Sequence, residues 1–97
     1  MDKRKILIAD DEINIRLAIG RMLNKDYVVL QATNGEEAIE IANVQKPDLI
    51  LMDLIMPKMD GYTACRMIKT DLITQTIPVV MLTAADYELN VELSRET

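Results

Sequence analysis

The 97-residue chain has no histidine, no tryptophan and no phenylalanine. Without histidine it holds no imidazole base, no imidazole metal ligand and no site for a phosphohistidine. A mechanism that needs any of these must find it in another molecule. Without Phe and Trp the core must come from Ile, Leu, Val, Met and Ala. The single cysteine, Cys65, has no partner for a disulfide within the chain. It reads as a small buried apolar group on a helix. Basic excess is also lacking: the formal net charge is -5 and Lys and Arg form no run, which argues against nucleic-acid binding. No apolar stretch approaches the ~20 residues of a membrane span. The first apolar run is short and flanked by charge, unlike a signal peptide. These features predict a cytoplasmic protein, and the length bounds it to one domain, residues 1–97.

What is present is a set of short apolar runs that end on polar residues. Leu49-Ile50-Leu51-Met52 has no polar alternation, which suits a strand buried on both faces of a parallel sheet. It stops on Asp53, and the loop signals Met56-Pro57 and Asp60-Gly61 follow. Ile6-Leu7-Ile8-Ala9 likewise ends on Asp10, Asp11 and Glu12, and Val79-Val80-Met81-Leu82 ends on Thr83. The carboxyl ends of the strands are where open α/β sheets bind ligands. Three parallel strands would bring Asp10, Asp11, Asp53 and Thr83 to one edge.

Taken in order, the chain alternates strand and helix. Lys5 to Asp10 is predicted as the first strand, and Asp11 or Glu12 opens a helix. Ile15, Ala18, Ile19, Met22 and Leu23 form one face of that helix, with Arg16 and Arg21 off it. Gly20 within it lowers helix propensity, and close packing against the sheet is one reason to keep it. Tyr27 to Ala32 is the second strand. Asn34 and Glu37 have the spacing of a capping box, and Asn34-Gly35 permits a sharp turn. Ala38, Ile41 and Ala42 line the second helix, which Pro47 ends. Asp48 to Asp53 is the third strand. Asp60 caps a third helix over Tyr62 to Lys69, with Cys65 and Ile68 inward. A polar connection, 70–78, leads to the fourth strand, Val79 to Leu82. A last helix runs from Asp86 to about Arg95. Four such βα units imply a parallel sheet with helical crossovers.

A cluster of carboxylates is stable only when something positive shares the site. An all-oxygen acidic site suits a hard cation such as Mg2+, which binds through one or two carboxylates, waters and a phosphate. A carboxylate can attack phosphorus to give an acyl phosphate, and a hydroxyl such as that of Thr83 can donate to a phosphoryl oxygen. Each residue taken alone has a structural explanation: Asp10, Asp11 and Glu12 as helix caps, Asp53 as the start of a turn. Convergence of all of them favours the chemical reading.

The segments IADDE, MDLIMPKMDG and VVMLTA together resemble the receiver domain of two-component response regulators. The likeness runs the length of the chain. It implies a flavodoxin-like α/β fold whose strand order, 2-1-3-4-5, is carried over with the family. It further implies that Asp53 is the phosphoacceptor and Thr83 a switch hydroxyl. Asp10, Asp11, Asp53 and the backbone carbonyl of Ile55 would hold Mg2+, or Mn2+ in its place. The donor implied is a phosphohistidine on a histidine kinase or phosphotransfer protein. The chain would be a regulatory phosphoacceptor and not a turnover enzyme.

The resemblance also implies a fifth strand ending in a Lys, and then a fifth helix, neither of which the 97 residues accommodate. The receiver is therefore expected to be incomplete at its carboxyl end, with Lys58 as a candidate substitute for the family's Lys. The fourth strand is expected to be left as an open edge that promotes self-association. Two other functions stay open at this level. One is a receiver-like interaction or self-association module that is not phosphorylated. The other is an aspartate-nucleophile phosphatase, which needs a second acid where this chain has Ile55.

Overall fold

A computed structural model describes residues 2–82. Their order is β1 (Lys5–Ala9), α1 (Ile13–Leu23), β2 (Val28–Ala32), α2 (Gly35–Gln45), β3 (Leu49–Asp53), α3 (Gly61–Thr70) and β4 (Val79–Leu82). Thr83 and the helix expected over 86–95 lie outside the described residues. All strand pairs are parallel, in the order β2-β1-β3-β4. This agrees with the expected flavodoxin-like order, and β4 matches its expected bounds. The other strands start or stop one residue inside them.

The sheet is covered on both faces. Leu7 and Ala9 of β1 and Ile50 and Met52 of β3 are fully buried. They form one core with Ala38 and Ala42 of α2 and Ala64 and Ile68 of α3. Cys65 is buried on α3, as expected of it. Side chains alternate across a strand, so Ile6 and Ile8 face the other way. There α1 packs against β1 and β2. This second layer is thinner. In β3, Leu49, Leu51 and Asp53 are only half-covered, so β3 is sealed on one face and not on both.

The inner face of α1 departs from the periodicity. Ile15 and Met22 are exposed, and α1 has no fully buried residue. The half-covered positions are Arg16, Ile19, Gly20 and Leu23, at i, i+3, i+4 and i+7. Arg16 therefore belongs to the inward stripe. Apolar spacing pointed away from it because a charged residue scores as outward, whereas a long Arg stem packs along apolar surface and carries its charged end to a polar partner.

Local signals set the helix starts. The Asn34 side chain accepts the Glu37 N–H at 2.9 Å, and Glu37 Oε1 accepts the Thr33 N–H at 2.6 Å. This is the expected cap, with the return bond displaced by one residue to Thr33. Asp60 Oδ1 accepts the Thr63 N–H at 2.7 Å and starts α3. Neither glycine reason from the sequence holds. Gly35 has no left-handed φ. It is needed for space: a Cβ there would come within 2.5 Å of the Met59 carbonyl oxygen, to which the Gly35 N–H donates at 3.0 Å. At Gly20 a Cβ would meet only the Val29 side chain, at an ordinary 3.8 Å.

Candidate functional site

β1 and β3 are adjacent and parallel, with Ala9 in register with Met52. The residues that follow, Asp10 and Asp53, therefore stand side by side at the carboxyl edge of the sheet. Carboxylate oxygens of Asp10, Asp11 and Asp53 all lie within 4.8 Å of one another. Asp10 is buried, Asp53 half-buried and Asp11 exposed.

Asp10 and Asp53 are each held by backbone. Asp10 continues the ladder with its N–H on the Ala32 carbonyl at 3.0 Å, and its Oδ1 accepts the Glu12 N–H at 2.9 Å. That bond does for α1 what a cap would do, since Glu12 makes no side-chain cap bond of its own. Burial pushes the Asp53 carboxyl up from its ordinary range, and the Asp10 carboxylate adds to the push. The Ile55 N–H pulls it down, Asp11 raises it and the Leu54 N–H lowers it, in decreasing order. Burial and like charge raise it because both disfavour the ionised form.

The loop after Asp53 is anchored from beneath. The Gly61 N–H donates to the Leu54 carbonyl at 2.8 Å, and Leu54 and Met56 are buried. The Met59 N–H donates to the Pro57 carbonyl at 2.7 Å, a three-residue turn centred on Lys58, whose φ is 66°. Lys58 is exposed. The strained turn leaves the Lys58 side chain at the surface of the loop. On the other flank Leu82 is in register with Asp53, and the Leu82 carbonyl accepts the Leu54 N–H at 3.2 Å. The expected role of Thr83 lies outside the described residues.

Residues 6–94 match the response regulator receiver domain family. The chain belongs to that family. It is 45% identical over 83 residues to the response regulator PleD of Caulobacter vibrioides, covering 84% of this chain and 18% of that protein. It is 38% identical over 94 residues to the alkaline phosphatase synthesis transcriptional regulatory protein PhoP of Bacillus subtilis, covering 96% of this chain and 38% of that protein. Among solved structures it resembles the N-terminal domain of a response regulator receiver protein from Methanoculleus marisnigri, with TM-score 0.84 and 39% identity. That match covers 94% of this chain and 76% of the other. The chain thus spans well under half the length of these curated relatives. As a receiver domain it is a regulatory unit of two-component signalling. Among the described residues no helix is long and apolar enough to cross a membrane.

The acidic cluster of this receiver fits a hard divalent cation: the donors are all oxygen, three carboxylates meet at one point, and one of them is buried. Asp10, Asp11 and Asp53 are the residues that would hold it. The sequence placed Arg16 off the inner face of α1, yet its side chain reaches the backbone of Asp10. Gly35 and Gly61, expected only as turn signals, are needed for space beside the loop after Asp53. Arg16 carried a signal: it stands three residues before Ile19 on the stripe that faces the sheet.

Proposed function

We propose that this receiver accepts a phosphoryl group on Asp53 from a phosphohistidine of a histidine kinase or phosphotransfer protein. The observation that carries the reading is the meeting of three carboxylates within 4.8 Å at the carboxyl edge of the sheet, with Asp53 between Asp10 and the end of β4. An Asp53 oxygen attacks phosphorus, the new O–P bond forms and the P–N bond to the donor imidazole breaks, leaving the imidazole with the electron pair. Asp10, Asp11, Asp53 and the Ile55 carbonyl are the proposed holders of Mg2+, or of Mn2+. Such a cation, when bound, offsets the negative charge of the carboxylates and of the phosphoryl oxygens. The backbone N–H groups of Leu54 and Ile55 orient the Asp53 carboxylate, and Thr83 is the proposed hydroxyl partner of the phosphoryl group. The domain assists its own modification and does not turn over substrate. The names of relatives support the donor: one solved neighbour, 35% identical with TM-score 0.84, is the signal receiver domain of a signal transduction histidine kinase from Syntrophus aciditrophicus.

The test is reaction with a small acyl phosphate, followed by intact mass. One phosphoryl group should be added in Mg2+ and none in chelator, and Asp53→Asn should abolish the addition. Addition that survives in Asp53→Asn would place the nucleophile elsewhere. A chain that binds partners but is never modified would favour the interaction-module reading.

A further inference from the structure

We propose that Arg16 is a positioning residue for the acidic cluster, acting through the backbone of Asp10. This rests on the reading of that cluster as a divalent-cation site. Strand β1 ends at Ala9, and of Asp10 only the N–H stays in the ladder, while its carbonyl faces α1. Arg16 Nη1 donates to it at 2.7 Å. The Arg16 backbone N–H meanwhile donates to the Glu12 carbonyl at 3.2 Å. One residue therefore grips both ends of the tripeptide Asp10-Asp11-Glu12, which carries two of the three clustered carboxylates. Arg16 is itself aimed: its Nε donates to Gln31 Oε1 at 3.0 Å. Gln31 stands on β2, in register with Ile8. Both side-chain bonds go to neutral oxygens, a carbonyl and an amide, and neither goes to a carboxylate. The guanidinium thus acts on the direction of the turn.

The physical consequence concerns repulsion. Three carboxylates within 4.8 Å drive one another apart, and only covalent and hydrogen-bond restraints keep them together in the absence of a cation. Asp10 is restrained by its N–H on Ala32, by Glu12 on its Oδ1 and by Arg16 on its carbonyl. Removal of the Arg16 bond leaves that carbonyl without its donor. The peptide between Asp10 and Asp11 is then free to rotate, and the two carboxylates separate. Partners that hold metal ligands in place are commonly worth roughly 10–100-fold in metal affinity. A bond made to the ligand's backbone belongs at the low end of that range.

The experiment is Mn2+ titration of the 97-residue chain, followed by the loss of the free-ion magnetic-resonance signal, with circular dichroism to fix the folded fraction. Arg16→Ala should weaken Mn2+ binding about tenfold. Arg16→Lys keeps the charge and one donor and should recover part of the loss. Gln31→Leu removes only the group that aims Arg16, at an exposed position, and should give a smaller loss. Combined with Arg16→Ala, it should add nothing. A role in folding alone would not produce this non-additivity or the rescue by Lys. Wild-type affinity in folded Arg16→Ala would overturn the proposal. Should that variant not fold, wild-type affinity in Gln31→Leu would overturn it. Absence of Mn2+ binding by the unsubstituted chain would overturn the cation-site reading and this inference with it.

Discussion

Gly61 lies directly against the backbone of Asp53. A Cβ at position 61 would overlap the Asp53 carbonyl oxygen and crowd the Met52 side chain, and the Gly61 N–H is already bonded to the Leu54 carbonyl. The first residue of α3 is thus packed under the peptide that carries the candidate nucleophile. The loop between them, 54–60, leaves the sheet and returns to its starting point.

Gly61→Ala is therefore expected to be among the most damaging single-methyl additions in this chain. Backbone cannot yield as a flexible side chain can, so the loss should reach about 3 kcal/mol, the upper end of overpacking effects. For a chain of this size that lowers the melting temperature by more than about 10 °C. Thermal unfolding followed by circular dichroism measures it. The surviving folded fraction should also bind Mn2+ more weakly, because the Asp53 peptide has moved.

Asp53→Asn should stabilise the protein in the presence of chelator at pH 7. The folded state holds the Asp53 carboxyl above its ordinary value of 3.8, through burial first and the Asp10 charge second. Well above the folded value the group is ionised in both states, and the folded state bears the cost of a buried charge. As pH falls through the folded value toward 3.8, the group protonates and the cost disappears. The variant, neutral throughout, should melt higher at pH 7. The gap should close near pH 4. Mg2+ should reverse the order by raising the melting temperature of the unsubstituted chain alone. A variant that melts lower at pH 7 in chelator would contradict this.

Gly20→Ala is expected to stabilise α1. The added Cβ meets only Val29 at 3.8 Å, and the position is in the helix interior. Nothing opposes the propensity gain of Ala over Gly, about 1 kcal/mol. Denaturant unfolding should show a higher midpoint with an unchanged slope. A lower midpoint would mean that α1 needs the gap over Val29.

Among the described residues β4 pairs only with β3, and Val80 is 47% exposed. An apolar edge without charge is a template for another strand. We expect the 97-residue chain to associate as concentration rises, and Val80→Lys to suppress that association. Light scattering across concentrations decides it. A monomer at high concentration, with or without the substitution, would show that the edge is covered.

The alternation of strands and helices was legible because β1, β3 and β4 are built on continuous apolar runs, and β2 on the shorter run Val28-Val29-Leu30 ahead of the turn at Asn34-Gly35. β4 runs from Val79 to Leu82 as expected, and the Asn34 and Asp60 caps were visible as residue types at fixed spacing. The inner face of α1 was not legible. Arg16 lies inward because its partners, the Asp10 carbonyl just after β1 and Gln31 of β2, lie outside α1, and periodicity within α1 does not record them. The reasons for Gly20 and Gly35 were misread likewise: whether a Cβ fits depends on Val29 and Met59, which belong to other segments.

By itself the sequence determined the order of elements and the acids at the ends of the first and third strands. Those are short-range properties, written in runs of four to six neighbours. The tertiary structure decided which acids meet and how they are held. Asp10 and Asp53 are 43 residues apart in the chain and become neighbours only because β1 and β3 pair in parallel with Ala9 opposite Met52. Their closeness is opposed by charge, so it depends on hydrogen bonds made by the backbone of Ala32, Glu12, Leu54 and Ile55 and by the Arg16 side chain. No local pattern encodes that set, because Ala32 meets Asp10 only through the pairing of β1 with β2, and Arg16 is aimed by Gln31 of β2.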